Sequence, residues 1–221
     1  MRNVFANLDW SVLTNALISI IPALICVSFH EMSHAAAAYA LGDPTAKNAK
    51  RLTMNPIRHI DVFGLLMMAV FGFGWAKGVP INMRNFKNQR LGMALSSLAG
   101  PASNMVLAAF FCAVTGVVIG LFPEMPADNL AAEMLVRTIY LSIALGIFNL
   151  IPIPPLDGSK VLFSLLPEAA YAKLMRIERF GFIVLLLLVN TAAFSGTVGA
   201  ATMWIFERMF KITYAVGGLF A

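Results

Sequence analysis

Two histidines and a glutamate interrupt an otherwise apolar or small-residue run, "CVSFHEMSHAAAAYAL" at residues 26–41. His30 and His34 are four residues apart. On a helix, at about 100° and 1.5 Å per residue, they stand one turn apart on the same face. Two imidazoles so placed can approach one metal ion at about 2.0–2.1 Å each, the bond length of zinc to a histidine nitrogen. Glu31 adjoins the first of them but points elsewhere on the helix cylinder, so it can act on the water that a metal activates without being a ligand. H-E-x-x-H on a helix combines these parts, two ligands and a general base. Ionisable side chains at membrane depth are costly and mark function by default, and the apolar surroundings place these three at that depth.

A zinc site of the catalytic kind needs a third protein ligand and a fourth position open to water. His59 is the one remaining histidine. The other candidate is Asp157, in "FNLIPIPPLDGSKVL" at 148–162. Pro152, Pro154 and Pro155 each lack a backbone donor and push the chain into extended geometry, which breaks a helix there. Unwound backbone inside a hydrophobic segment is tolerated only within protein or beside water. Gly158 allows close backbone approach, and "SKVLFSLL" can restart the helix. On these residues alone Asp157 is either a ligand held on the unwound stretch or a helix N-cap at the membrane surface.

The elements that must position these groups are membrane helices. Of 221 residues, 59% are hydrophobic and 12% charged, and mean hydropathy is +0.79; soluble domains carry about 25% charged residues. Apolar spans are expected at roughly 10–42, 91–121, 131–153 and 180–206, each near or above the roughly 20 residues that cross hydrocarbon as helix. The shorter stretch 61–75, interrupted by Gly64, Gly72 and Gly74, reads as re-entrant. The expected fold is an all-α integral membrane protein of about four to six transmembrane helices, with a re-entrant or extended segment and a proline-broken helix at the site. One membrane-embedded domain is expected over residues 1–221, with no cleaved signal peptide.

The net charge of +5 reports orientation rather than nucleic-acid binding, because Lys and Arg collect in cytoplasmic loops. Lys47, Lys50, Arg51 and Arg58 precede the re-entrant stretch, and Lys77, Arg84, Lys87 and Arg90 follow it, so both loops are cytoplasmic if that stretch dips in and returns. The acidic loop 122–130 is then external, and Lys173, Arg176 and Arg179 bring the chain back to the cytoplasm; Arg208 and Lys211 run against this path. The site thus faces the cytoplasmic side. Arg137, inside a span, is expected to snorkel to the outer face. Cys26 and Cys112 lie in apolar runs and read as small buried hydrophobes.

These residues resemble the site-2 protease family of intramembrane zinc metalloproteases, in its compact form without a PDZ or CBS domain. "HEMSH" is similar to the family's H-E-x-x-H, and "NLIPIPPLDG" to its N-x-x-P-x-P-x-L-D-G. "RLTMNPIRHIDVFG" (51–64), "GWAKGVPIN" (74–82) and "LAGPASNMVLA" (98–108) support the match, which covers about residues 22–165 and leaves 166–221 unmatched. Val62 and Gly78 stand where the family often has proline.

The resemblance implies one Zn2+ ion held by His30, His34 and Asp157, Glu31 as general base, and Asn149 beside the site near substrate or oxyanion. It implies a protease that hydrolyses peptide bonds within or near transmembrane segments, in a prokaryotic cell membrane. The expected partners are a transmembrane protein substrate and the lipid bilayer, with a homo-oligomer or a regulatory membrane partner as further expectations. Unwound substrate backbone needs new hydrogen-bond partners, and "AKGVPINM" (76–83) is the candidate to supply them by strand addition, which makes Val79 and Ile81 site neighbours. Asn104, in the small-residue stretch "AGPASN", is a further candidate neighbour, close helix packing being the competing role. The alternative function is a non-proteolytic zinc-binding membrane scaffold, against which stands Glu31, a carboxylate that a pure binder does not need.

Overall fold

Long apolar runs make long helices, two of which carry a proline within them, Pro22 and Pro101, and the breaks fall at capping residues and at the proline cluster 152–155. The computed structural model describes residues 10–64, 75–126, 129–167 and 180–220. Helix α1 runs Trp10–Ala40 with Pro22 inside it, and α2 is the short Thr45–Asn48. Helix α3, Gln89–Leu121, starts where the Asn88 side chain accepts the Leu91 N–H at 3.1 Å. Helix α4, Leu130–Leu150, starts where Asn129 accepts the Ala131 N–H at 2.9 Å. Such caps satisfy donors that the first turn leaves unpaired. After α4 the chain is non-helical through the three prolines, and α5 resumes at Asp157–Ser164. Helices α6, Phe180–Val189, and α7, Ala192–Gly217, complete the described chain.

Three helical stretches, Ile18–Ala40, Gln89–Leu121 and Leu130–Leu150, are long and apolar enough to cross a membrane, and a fourth span arises if α6 and α7 are one. The single span expected over 180–206 is instead two helices bent by 81°. The break has a local cause. Thr191 caps α7 by accepting the Phe194 N–H, while the Asn190 and Thr191 side chains bond the carbonyls of Leu186 and Leu188 at 2.7 Å each. Side chains of this kind offer backbone groups an alternative to continuing the helix. Most of the expected re-entrant stretch, residues 65–74, lies outside the described residues.

The core lies between α3, α4 and α7. Ala108, Cys112, Ile139 and Ile143 are fully buried, with Phe206, Met209 and Phe210 packed against them, and α1 packs on α3 and α4. In lipid such packing is driven by van der Waals contact and interhelical hydrogen bonds, the latter about 0.6 kcal/mol each on average. Thr213 Oγ1 donates to the Cys112 carbonyl at 3.0 Å, and Ser142 Oγ to the Asn104 carbonyl at 2.8 Å. Both cysteines are free and buried, as expected. Val106, Phe110, Ile119, Trp204 and Tyr214 project outward; in water they would be a liability, and on a membrane protein they meet lipid. Arg137, expected to snorkel, has partners within the fold. Its guanidinium pairs with Glu133 one turn earlier and donates to Ser19 Oγ on α1, tying two spans together.

Candidate metal centre

Helix geometry places His30 and His34 one turn apart on α1, and the fold brings Asp157 to them across 127 residues of chain. His30 Nε2 and His34 Nε2 are 3.0 Å apart, and each is 3.1 Å from Asp157 Oδ2. Four ligands at 2.0–2.1 Å in a tetrahedron would lie about 3.3–3.4 Å from one another, so this triangle needs only a few tenths of an ångström to accept a zinc-sized ion. All three side chains are buried. Among the described residues they form the one group of three or more metal-ligating side chains with mutually close donor atoms. His59 is not part of it. Its Nε2 donates to the Thr53 carbonyl at 2.8 Å, and its ring lines the same cavity further out.

The donor chemistry also fits a cation. His34 Nδ1 lies 2.7 Å from the Ser96 carbonyl, an oxygen that can only accept, so Nδ1 carries a proton and Nε2 is the ring nitrogen turned to Asp157 and available to a cation. That arrangement, ring proton on a carbonyl and lone pair on the metal, is the usual outer support of a metal-bound histidine. Gly100 on α3 completes the cradle. A Cβ there would stand 2.4 Å from His34 Cε1 and Nε2 and 2.7 Å from His30 Cε1. Asp157 reaches the histidines because α5 begins against the end of α4. A Cβ at Gly158 would meet the Leu150 carbonyl oxygen at 2.1 Å, and the expected close approach at this glycine is observed.

Glu31 is buried beside the triangle, and its Oε2 accepts the Val79 N–H at 2.8 Å. A cavity of about 730 Å³ opens here, lined by His30, His34 and Asp157 and by Glu31, Val79, Ile81 and Asn149, with apolar walls from α1, α4 and α6. Asn149 is in the last turn of α4, where its Nδ2 donates to the Leu145 carbonyl at 3.0 Å. Residues 75–82 carry no regular secondary structure, and a 3-10 turn follows at Met83–Asn85. Asn104 is fully buried and does not line the cavity; its backbone carbonyl takes the Ser142 bond between α3 and α4.

Sequence reasoning passed over three contributors. Lys160, one turn after Asp157, has its Nζ 3.9 Å from Asp157 Oδ1 and lines the cavity; the i, i+3 spacing was its visible signal. The Ser96 carbonyl is backbone and leaves no trace in residue type. Gly100 sits in the "AGPASN" stretch, whose small residues signalled close approach but not what approaches.

Residues 115–189, which include Asp157, match the model of Peptidase family M50. The chain is 40% identical over 187 residues to the "Putative zinc metalloprotease YwhC" of Bacillus subtilis (strain 168), covering 84% of this chain and 83% of that protein. It is 28% identical over 198 residues to the "Putative zinc metalloprotease Rip2" of Mycolicibacterium smegmatis, covering 87% and 74%. To the Rip2 protein of Mycobacterium tuberculosis (strain H37Rv) it is 27% identical over 189 residues, covering 83% and 71%. No solved structure matches it significantly. A chain with this motif pair, this buried His-His-Asp group and these relatives belongs to peptidase family M50, the site-2 protease family of zinc metalloproteases.

Proposed function

We propose that this protein cleaves peptide bonds within or near transmembrane segments of other membrane proteins, with zinc held by His30, His34 and Asp157 and with Glu31 as general base. The observation that carries the reading is the 3.0–3.1 Å triangle of donor atoms, buried at one end of a spanning helix with a carboxylate beside it. Bound there, zinc lowers the pKa of its water to about 7 and polarises a carbonyl oxygen. Glu31 takes the proton of the attacking water and returns it to the departing amine. Its Oε2 is held by the Val79 N–H, which leaves Oε1 for the proton. The His34–Ser96 bond would orient the imidazole so that Nε2 could hold the ion. Asn149, at the cavity wall, is assigned to the substrate backbone.

The substrate arrives as a helix whose carbonyls are already bonded, so it must unwind, and the segment around Val79 and Ile81 supplies replacement partners by strand addition. The basic residues on either side of that segment, Arg51, Arg58, Lys77 and Arg84 among them, support a cytoplasmic position for the site. The test is cleavage of a helical membrane substrate by zinc-loaded protein in detergent. Glu31→Gln should remove activity while leaving zinc content unchanged, and Asp157→Ala should lower zinc content. Cleavage that persists in Glu31→Gln refutes the base. A zinc-replete wild type that binds such substrates but never cuts them favours the scaffold.

A further inference from the structure

Among the described residues, four carboxylate or guanidinium side chains are buried: Glu31, Asp43, Arg51 and Asp157. Glu31 and Asp157 belong to the metal centre. Asp43 and Arg51 do not, and a buried charge needs compensating hydrogen bonds. Both find them on one stretch of backbone, residues 77–82. The Arg51 guanidinium donates through Nη2 to the carbonyls of Lys77 and Gly78. Asp43 Oδ2 accepts the Asn82 N–H at 2.7 Å, while its Oδ1 accepts from the Thr45 N–H and hydroxyl and from Asn85 Nδ2.

Between these anchors the Val79 N–H points the other way, to Glu31. In extended backbone the N–H and C=O of one residue share an edge, and alternate residues share it. From Gly78 onward the bonds follow that alternation; the Lys77 carbonyl, one residue before it, also turns to Arg51. Gly78 and Asn82 face Arg51 and Asp43, whereas Val79 faces the metal centre. Pro80, between them on the far edge, has no N–H to offer. On the near edge the Val79 carbonyl and both backbone groups of Ile81 have no partner among the described residues. The far edge is thus held at Gly78 and Asn82 by two buried charges with a proline between them, and among the described residues the near edge keeps its unpaired groups.

Arg51 is aimed by its own turn. Lys50, at φ 56°, is left-handed, and the N–H groups of Lys50 and Arg51 return to the carbonyls of Lys47 and Ala46 at 2.9 Å each, a Schellman close to α2.

We infer that Arg51 and Asp43 are positioning residues for substrate: they hold the far edge of 77–82 so that Val79 and Ile81 present an open edge beside the metal centre to an unwound peptide. This rests on the strand-addition reading above. Four variants separate the two in steady-state cleavage of a helical membrane substrate, with zinc content measured on each. Ile81→Pro removes a near-edge N–H and should raise KM. Arg51→Met should raise KM about 10-fold, the loss expected of one or two hydrogen bonds to a charged group, with zinc content and kcat within about twofold of wild type. Arg51→Lys, which can still reach one carbonyl, should recover part of that loss, and Asp43→Asn should raise KM without lowering zinc content, which keeps the test available if Arg51→Met does not fold. A wild-type KM in Ile81→Pro refutes strand addition and this inference with it. A raised KM in Ile81→Pro beside a wild-type KM in Asp43→Asn and in Arg51→Met overturns the inference alone. So does any Arg51 loss that falls on zinc content or kcat with KM unchanged.

Discussion

Replacing Gly100 with alanine tests whether the two histidines are held in place by a gap that only glycine leaves. The added Cβ would stand 2.4 Å from His34 Cε1 and Nε2 and 2.7 Å from His30 Cε1, against about 3.5 Å for ordinary carbon contact. One side or the other must therefore move by roughly 1 Å. His34 cannot swing away freely, because its Nδ1 is bonded to the Ser96 carbonyl at 2.7 Å, and α3 is fixed by its packing on α1 and α4. Ligand distances at a metal tolerate only about 0.2 Å. Loss of outer support alone costs 10–100-fold in metal affinity; direct displacement of both imidazoles belongs at the upper end, about 100-fold or 2.7 kcal/mol.

The assay is zinc-chelator competition on detergent-solubilised protein, with helix content followed by circular dichroism. Gly199→Ala is the control, since nothing lies within 4 Å of a Cβ there and a helical glycine-to-alanine change gains up to about 1 kcal/mol. Equal zinc affinity in the two variants would refute the reasoning that Gly100 sets the ligand geometry.

Two further outcomes follow from the loops beside the site. Burial works to raise the Asp43 pKa, but hydrogen bonds from Thr45, Asn85 and Asn82 outweigh it and hold the carboxyl below its usual value. A depressed carboxylate stabilises the fold above its unfolded pKa of about 3.9 and loses that contribution as pH falls through the folded value. The melting temperature of the wild type should therefore drop below about pH 4 more steeply than that of Asp43→Asn, and parallel profiles would contradict this. Lys50 occupies a left-handed conformation that glycine adopts without steric penalty, so Lys50→Gly should stabilise by about 0.5–1 kcal/mol with zinc binding intact; a lower melting temperature would count against the assignment.

What the sequence made legible depended on whether side-chain type carried the information. The i, i+4 histidines and the neighbouring glutamate announce their geometry, because a helix allows only one relative placement. Asp157 was visible through the prolines that unwind its approach. The residues alone left His59 and Asp157 both open as the third ligand; the resemblance pointed to Asp157, and the fold brings its carboxylate to the histidines across 127 residues. The break at Asn190–Thr191 has a capping signal, but a strongly apolar flank concealed it. Arg51 and Asp43 were the least legible. In a membrane protein a loop arginine reads as an orientation signal, and only the fold separates one that faces water from one buried on a backbone carbonyl.

The placement of these groups along the chain has a mechanical consequence. Helix α1 carries both histidines and Glu31, and the turn that follows it carries Asp43. Segment 77–82 is bonded to this same stretch at two points, Val79 to Glu31 and Asn82 to Asp43. Glu31, the proposed base, and the proposed substrate edge are thus referenced to one rigid element, and motion of α6 or α7 need not alter their separation. Asp157 alone comes from elsewhere, on α5, which packs on α3 and α4 rather than on α1, so the seating of α5 on those two helices decides whether its carboxylate meets the histidines. A site built this way keeps the base and the substrate edge in register on a rigid helix, while metal coordination alone depends on the packing of a distant segment.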